Sequence, residues 1–194
     1  STGFAAQEKG GVIKIGIGMD VKQLDPAYIS DLPSERVASQ IHDRLLRRDG
    51  EGNIKSNLAR DWEATEESKV WTFYLKEDVK FTDGSKFDAD IVKWHFNRLM
   101  DPDSASNYVE QFSIIKEVKV IDQYTVQFVL KRSYGPFIET ILFSPGGLIP
   151  SKKQFEKVGA DAYASAPVGT GPFKFKEWQP GSYVKLIRNE NYHR

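Results

Sequence analysis

The sequence predicts a mixed α/β fold that is rich in antiparallel hairpins. Three observations support this prediction. Short runs of alternating apolar residues are separated by tight turn signals, and stretches with helical periodicity and capping residues lie between them. The third observation is the length, because 194 residues can bury a sizeable core in one domain, or in one large domain with a subdomain.

The amino-terminal part is predicted to contain a leader, a strand and a helix. Residues 1–11 are small and polar and end in glycines, which indicates a flexible leader. The β-branched run Val12–Gly18 is typical of a buried strand. After a polar loop, Ser34 is the expected N-cap of a helix that continues through Arg48. The buried side of this helix would carry Val37, Ile41 and Leu45.

The middle of the chain combines strands, a tight turn and a helix. Trp71–Leu75 alternates apolar and polar residues, as in a strand with two unlike faces, and Val79–Phe81 continues as a second short strand. Asp83-Gly84 is a strong turn signal, because glycine tolerates positive φ. Asp88 is the expected N-cap of the helix that follows. The apolar face of this helix carries Val92, Phe96 and Leu99.

Two further hairpins are expected in the second half. Val118–Val120 pairs with Val126–Leu130 across a tight turn. The chain finishes with Phe173–Trp178 and Tyr183–Ile187, joined by a turn in which Pro180-Gly181 favours type II geometry.

Two helices are predicted between these hairpins. A short helix begins at Pro136 and runs through Phe143. Ser151 with Gln154 forms a capping box for a second helix, which Gly159 ends.

Composition and charge exclude several classes of function. The 27 basic and 27 acidic side chains cancel, and no basic run is present, so nucleic acid is not an expected partner. The chain has no cysteine, which removes disulfides, thiolate metal sites and cysteine nucleophiles. No apolar run is long enough for a membrane-spanning helix.

Motifs for catalysis or cofactor binding are weak. The stretch GIGMDV lacks the third glycine of a dinucleotide fingerprint, and GTGPF lacks the Lys-Ser/Thr ending of a phosphate loop. His42, His95 and His193 lack metal-ligand spacing, so neither a metal nor a cofactor is expected. No G-x-S-x-G motif occurs, although a Ser-His-Asp site assembled from distant residues stays open.

Tyr108 stands apart from the other aromatic residues. Most of them alternate on predicted strands, where they belong to the core. Tyr108 instead follows the polar stretch DSASN, outside any apolar period. Two roles stay open for it: packing at the start of a helix, or a wall of a ligand pocket, because tyrosine offers a large apolar face and one polar tip.

Three separated segments occur in an order and spacing that resemble a known family. They are LDPAYISD, LARDWEATEESKVWTFYLKEDVKFTDGSKFDADIVKWHFNRL and PVGTGPFKFKEWQPGSYVKLIRNENYH. They are similar to segments of the family 5 extracellular solute-binding proteins, the peptide- and nickel-type binding subunits of bacterial ABC importers. The resemblance runs from about Val12 to the last residue.

This resemblance implies the first lobe of a type II periplasmic-binding-protein fold, with an inserted subdomain. Mapped onto this chain, residues 12–46 and 167–194 form the base subdomain, and residues 47–166 form the insertion. Similar proteins are more than twice as long, so the chain corresponds to an N-terminal lobe without its hinge and second lobe. The exposed apolar face that this would leave predicts self-association.

The resemblance also implies a function and a site. Similar proteins are periplasmic or lipid-anchored receptors, not enzymes, and they deliver a small solute to a membrane permease. A short peptide is the leading cargo, with a nickel complex or a sugar as alternatives. The implied ligand-binding residues are Ser30, Asp31, Leu32, Tyr108 and Ser144, whereas Gly84, Gly169 and Gly171 would serve turns. No catalytic residue is implied.

Two rival hypotheses come from other classes of protein. A hydrolase on a similar α/β chain predicts a buried carboxylate or histidine with a shifted pKa. An interaction module without a small ligand predicts an exposed apolar patch in place of a cleft.

Overall fold

The structure is a computed structural model that describes residues 10–65 and 67–194. Its α-helices are α1 (Leu32–Ile41), α2 (Ala89–Met100), α3 (Val109–Phe112), α4 (Lys152–Val158) and α5 (Ala160–Tyr163). Its strands are β1 (Leu46–Arg48), β2 (Ile54–Ser56), β3 (Ala59–Ala64), β4 (Val70–Leu75), β5 (Ile115–Asp122), β6 (Thr125–Leu130), β7 (Phe173–Gln179) and β8 (Tyr183–Arg188). The fold is mixed α/β, as predicted. Most of the predicted leader, residues 1–11, lies outside the described residues.

One four-stranded antiparallel sheet, in the order β3-β4-β6-β5, carries the larger core. Phe73 of the central strand β4 lies opposite Val126 of β6. Helix α2 packs on this sheet, and its Phe96 ring meets the Phe128 ring edge to face with 4.8 Å between centroids. Both rings are fully buried. The sheet and α2 therefore share one core of buried aromatic side chains.

A second, smaller apolar cluster joins α1 to the β7–β8 hairpin. Phe175 and Trp178 of β7 are partly buried against it. Its buried members are Val21, Leu24, Ile29, Ala38 and Leu148. This cluster fixes the loop that leads into α1. The division into a base of residues 12–46 and 167–194 and an insertion of residues 47–166 stays a prediction.

The predicted buried strand Val12–Gly18 is wrong. This segment has no strand assignment, and Val12, Ile13 and Ile15 are each more than 80% exposed. A strand needs a neighbour to pair with its backbone, and none of the described strands pairs with this segment.

The first helix differs from the prediction at both ends. Asp31, not Ser34, is the N-cap, because its Oδ1 accepts a hydrogen bond from the Ser34 N–H at 2.9 Å. The helix ends at Ile41, where His42 takes an extended conformation. The following residues through Arg48 therefore leave the helix, and the last of them form β1.

The remaining predicted helix boundaries are largely confirmed. Asp88 caps α2 by accepting from the Ile91 N–H at 3.1 Å. Ser151 caps α4 by accepting from the Gln154 N–H at 3.1 Å, but the Gln154 side chain donates to the Ala166 carbonyl, so only half of the capping box forms. A π-helical turn, Ile138–Leu142, replaces the predicted helix after Pro136.

Both later hairpins are confirmed, and the turn between β7 and β8 contains a glycine with positive φ, as expected. Strands β5 and β6 pair antiparallel, as do β7 and β8. Gly84 and Gly181 adopt φ values of 82° and 75°, which glycine tolerates without strain. The predicted short strand Val79–Phe81 is reduced to one isolated bridge between Lys80 and Lys86. Among the described residues, no helix is long and apolar enough to cross a membrane.

Candidate functional site

The loop before α1 and the first residue of that helix carry three of the predicted ligand-binding residues. Ser30 and Leu32 are exposed, and the Asp31 carboxylate is occupied by capping, because Oδ2 accepts from the Ser34 hydroxyl at 2.9 Å. None of the described residues accepts a hydrogen bond from the backbone N–H groups of Ser30, Asp31 and Leu32. The loop therefore offers backbone donors to a ligand, while its one carboxylate serves the helix.

An ion pair lies beside this loop and joins it to Ser144. Arg44 Nη2 donates to Glu35 Oε1 at 2.8 Å, and Arg44 Nε donates to the Ser144 carbonyl at 3.2 Å. The Ser144 hydroxyl donates to the Ile141 carbonyl at 2.7 Å. Ser144 thus reaches the site through its backbone. Burial lowers the pKa of Arg44, and the neighbouring Glu35 carboxylate opposes that shift.

An open depression adjoins the ion pair. Its volume is about 340 Å³, and Glu35, Arg44, Arg48 and Phe143 contribute to its lining. The Arg48 guanidinium lies 4.6 Å from the centre of the Phe143 ring. This arrangement offers both signs of charge and one aromatic ring, and the depression borders α1 through Glu35 and Ser39.

Tyr108 lies beneath the loop. Only 6% of its surface is exposed, and its hydroxyl donates to the Ile29 carbonyl. The ring meets Phe112 edge to face with 5.6 Å between centroids, and Gly146 lies against both rings. Burial is the main cause of its raised pKa, so the hydroxyl stays protonated. The residue occupies the N-cap position of α3, which agrees with the helix-start role left open by the sequence.

The structure thus brings the five predicted residues into one region, through two side chains that sequence reasoning missed. Glu35 and Arg44 link the loop to Ser144, and both their charges act on the pKa of Tyr108. Neither residue carries a local signal in the sequence. They meet because α1 and the segment that follows it fold back on each other, and such a contact has no periodicity to detect.

A buried polar cluster surrounds Asp43, which also lines the depression together with Asn57. Its carboxylate accepts hydrogen bonds from Asn57, Thr170, Tyr192 and His193 at 2.9 to 3.2 Å. Burial alone would raise the pKa of Asp43, but these hydrogen bonds and the His193 charge lower it overall. Asp43 therefore ties together three segments distant in sequence.

The rival hypotheses can be compared with these features. A buried carboxylate with a shifted pKa is present, as a hydrolase would require, but all its bonds go to groups that hold the fold together. Among the described residues, no group of three or more acidic or histidine side chains is arranged to hold a metal ion.

Comparison with known proteins gives a family match and relatives. The family model described as bacterial extracellular solute-binding proteins, family 5 Middle, matches residues 53–194. The glutathione-binding protein GsiB of Salmonella paratyphi A is 31% identical over 183 residues, which are 93% of this chain and 35% of that protein. The chain thus spans about a third of the length of the curated relatives it matches.

Solved structures show the same fold. The mannopinic acid complex of MoaA from A. tumefaciens R10 is 34% identical, with a TM-score of 0.81, and the match covers 90% of this chain and 36% of that one. The complex of DppA from Helicobacter pylori with the peptide STSA is 30% identical, with a TM-score of 0.83, and covers 91% and 39%. The likeness therefore concerns one part of each longer protein.

Proposed function

This chain belongs to the bacterial extracellular solute-binding proteins of family 5, and on that premise we propose that it is the first-lobe part of a receptor that captures short peptides for an ABC importer. The observation that carries the proposal is the start of α1 with the loop before it, where none of the described residues accepts a hydrogen bond from the N–H groups of residues 30–32. An extended peptide presents backbone carbonyl oxygens, which can accept hydrogen bonds from such N–H groups.

The charges beside the loop support a zwitterionic ligand. The side chains of Glu35 and Arg44 are 29% and 16% exposed, so each can still be reached from the depression next to them. A short peptide carries an ammonium group at one end and a carboxylate at the other. Two of the similar proteins are described with peptidic ligands, glutathione and STSA, which makes the peptide the first choice of cargo.

The mechanism that follows is a shift of population between open and closed forms. A ligand held between two lobes favours the closed form, and a membrane permease recognises that form. In this proposal residues 12–46 and 167–194 supply the base of the lobe, and residues 47–166 supply the insertion. The receptor would work in the periplasm, or anchored by a lipid to the outer face of the cytoplasmic membrane.

The test is peptide binding by this chain and by one pair of variants. Native mass spectrometry with trialanine and glutathione is expected to show retained, uncleaved peptide. Leu32→Pro removes one N–H of the loop at the first helical position, which proline tolerates, and the preceding Asp31 already has a compatible extended conformation (φ −132°, ψ 150°). Loss of one hydrogen bond is expected to weaken binding by about fivefold.

Leu32→Ala is the matched control, because it removes the side chain and keeps the N–H. Equal affinities of the two variants would contradict the backbone contact. Cleaved peptide would contradict the receptor and favour the hydrolase. Retention of a nickel–histidine complex in place of either peptide would contradict the proposed peptide cargo, but it would still agree with a receptor function.

A further inference from the structure

Three consecutive backbone carbonyls before the site are held by one neighbouring loop. The loop is residues 104–108, here named the clamp loop, which lies between α2 and α3. The Ala27 carbonyl accepts from the Asn107 N–H at 3.0 Å, and the Tyr28 carbonyl accepts from Asn107 Nδ2 at 2.7 Å. The Ile29 carbonyl accepts from the Tyr108 hydroxyl. Residues 27–29 are therefore bonded one after another, directly before the exposed Ser30.

The contact is reciprocal and is reinforced from the clamp loop's side. The Tyr28 hydroxyl donates to the Ser104 carbonyl at 2.8 Å. The Ser106 hydroxyl donates to the Ala27 carbonyl at 3.3 Å and accepts from the Tyr108 N–H at 3.1 Å. The two loops, 79 residues apart in sequence, thus hold each other in one register.

The clamp loop itself adopts an uncommon backbone. Ala105 has φ 52° and ψ 24°, in the left-handed region that a non-glycine residue occupies at a cost of about 1 kcal/mol. The Ser104 hydroxyl accepts from the Ser106 N–H at 3.3 Å across this residue. The left-handed residue turns the chain so that Asn107 and Tyr108 both face residues 27–29.

We propose that Asn107 and Tyr108 are positioning residues for ligand binding: they hold the backbone of residues 27–29 so that the N–H groups of residues 30–32 are presented to the ligand. This inference rests on the proposed function, because it names what orients the loop of that same site. In this proposal Tyr108 acts through its hydroxyl, which donates to the Ile29 carbonyl beneath the loop. Preorganised donors bind more tightly because their ordering precedes binding.

The test uses two small changes in the clamp loop. Tyr108→Phe removes only the hydroxyl, and Asn107→Asp replaces the Nδ2 donor with an oxygen that repels the Tyr28 carbonyl. Each is expected to weaken binding of trialanine by about three- to tenfold, the effect of one lost hydrogen bond. Each is also expected to speed hydrogen exchange of the Tyr28 amide, which donates to the Asp25 carbonyl within the clamped loop.

Tyr163→Phe is the control for general stability. Its side chain is fully buried, and its hydroxyl donates to the Val168 carbonyl at 2.7 Å and accepts from the Val168 N–H at 3.2 Å, outside both loops. The inference expects this variant to unfold more easily while it keeps its trialanine affinity and its Tyr28 exchange rate. If Tyr163→Phe lost as much trialanine affinity as Tyr108→Phe, the weaker binding would be a consequence of lower stability. That result would overturn the positioning role.

Two other outcomes would also overturn the inference. Weaker binding in Tyr108→Phe alone, with Asn107→Asp unchanged, would mean that the hydroxyl contacts the ligand directly. Unchanged exchange at Tyr28 in both variants would mean that the clamp loop does not order the site. Exchange is measured without ligand, so it still decides on the clamp if the unaltered chain binds no peptide and the proposed function fails.

Discussion

Two buried histidines carry a large share of the expected pH dependence of stability. Burial lowers the pKa of His42 to about 4. Burial, with the nearby Arg98 charge, lowers the pKa of His95 to about 3. His95 Nε2 donates to the Gly146 carbonyl at 2.8 Å, which holds Gly146 close to the Tyr108 ring. Both side chains are therefore neutral in the folded protein near neutral pH.

We expect the free energy of unfolding to fall as the pH drops below the ordinary histidine pKa of 6.5. Below this pH the two histidines bind protons in the unfolded chain but stay neutral in the folded chain. The stability that they provide above pH 6.5 is therefore lost gradually, down to about pH 4 for His42 and about pH 3 for His95. At about pH 4.5 each residue is expected to account for a loss of about 2–3 kcal/mol. Urea unfolding at about pH 7 and pH 4.5 measures this difference.

His95→Gln provides the control for that prediction, because its amide can still donate to the Gly146 carbonyl and does not titrate. The difference between the two pH values is expected to shrink in this variant. An undiminished difference would show that His95 does not cause it. The lower pH of 4.5 is chosen so that Asp43 does not affect the comparison. Because its pKa is lowered, the Asp43 carboxylate loses its contribution to the free energy of unfolding only in stronger acid.

At the scale of elements, one ion pair fastens α2 to the loop that precedes the site. Arg98 of α2 pairs with Asp25, whose side chain is fully buried, and the guanidinium lies 4.2 Å from the centre of the Phe155 ring. Asp25 Oδ1 also accepts from the Ala27 N–H at 3.0 Å. The Asp-Pro dipeptide of the first recognised segment thus has a structural role in holding the site loop.

Arg98→Leu is expected to lower the free energy of unfolding by about 3–5 kcal/mol, because it leaves the Asp25 carboxylate buried without its partner. The double variant Asp25→Asn with Arg98→Leu is expected to recover part of that loss, since no charge is then buried. Urea unfolding of the single and double variants measures both effects. Arg60→Leu, which breaks the exposed pair with Glu77, is the control and should change little. If Arg98→Leu destabilises the chain no more than this control does, the ion pair between Arg98 and Asp25 does not fasten α2 to the loop.

The glycines of the VGTGPF segment serve close approach and not the turns that the resemblance implied. A Cβ at Gly169 would lie 2.1 Å from the Ile41 carbonyl oxygen, and one at Gly171 would lie 2.6 Å from the Gln40 carbonyl oxygen. Gly171 N–H also donates to the Ile41 carbonyl at 2.9 Å. This contact satisfies the end of α1 and explains why the helix stops at Ile41.

Gly169→Ala is expected to destabilise the chain by about 1–3 kcal/mol or more, because the added methyl group meets backbone atoms that cannot move aside. Gly50→Ala is the matched control, since no atom lies within 4 Å of a Cβ built at Gly50. Thermal or urea unfolding distinguishes the two. Equal stability of the two variants would show that α1 does not end against this segment.

These elements show what local sequence determines and what it does not. The α2 helix and the two later hairpins were predicted correctly because each has a period, a cap or a turn of its own, as Asp88 and Gly181 illustrate. Strand β3 was missed because its exposed residues, among them Arg60 and Glu63, hide the alternation of an edge strand. The end of α1 and the Glu35–Arg44 pair depend on contacts between distant segments, which leave no local pattern.

At the scale of the whole molecule, two parts of the described chain each expose several apolar side chains. The segment Val12–Ile17 is rich in β-branched residues, has no strand assignment and pairs with none of the described strands. The β7–β8 hairpin exposes 38% to 46% of Phe173, Tyr183 and Ile187. The net charge is zero at neutral pH, so no overall repulsion opposes contact between molecules.

We therefore predict that this chain self-associates, with the segment Val12–Ile17 as the main cause. Exposed β-branched residues on a segment without a strand partner favour strand pairing between molecules, and lysines on such a segment oppose it. The double variant Ile13→Lys with Ile15→Lys is expected to stay monomeric at concentrations where the unaltered chain forms larger species in sedimentation velocity. Ile121→Lys is the control, because Ile121 is 53% exposed but lies on the paired strand β5. Equal association of the double variant and the unaltered chain would exclude this segment, and a monomeric unaltered chain at every concentration would refute self-association altogether.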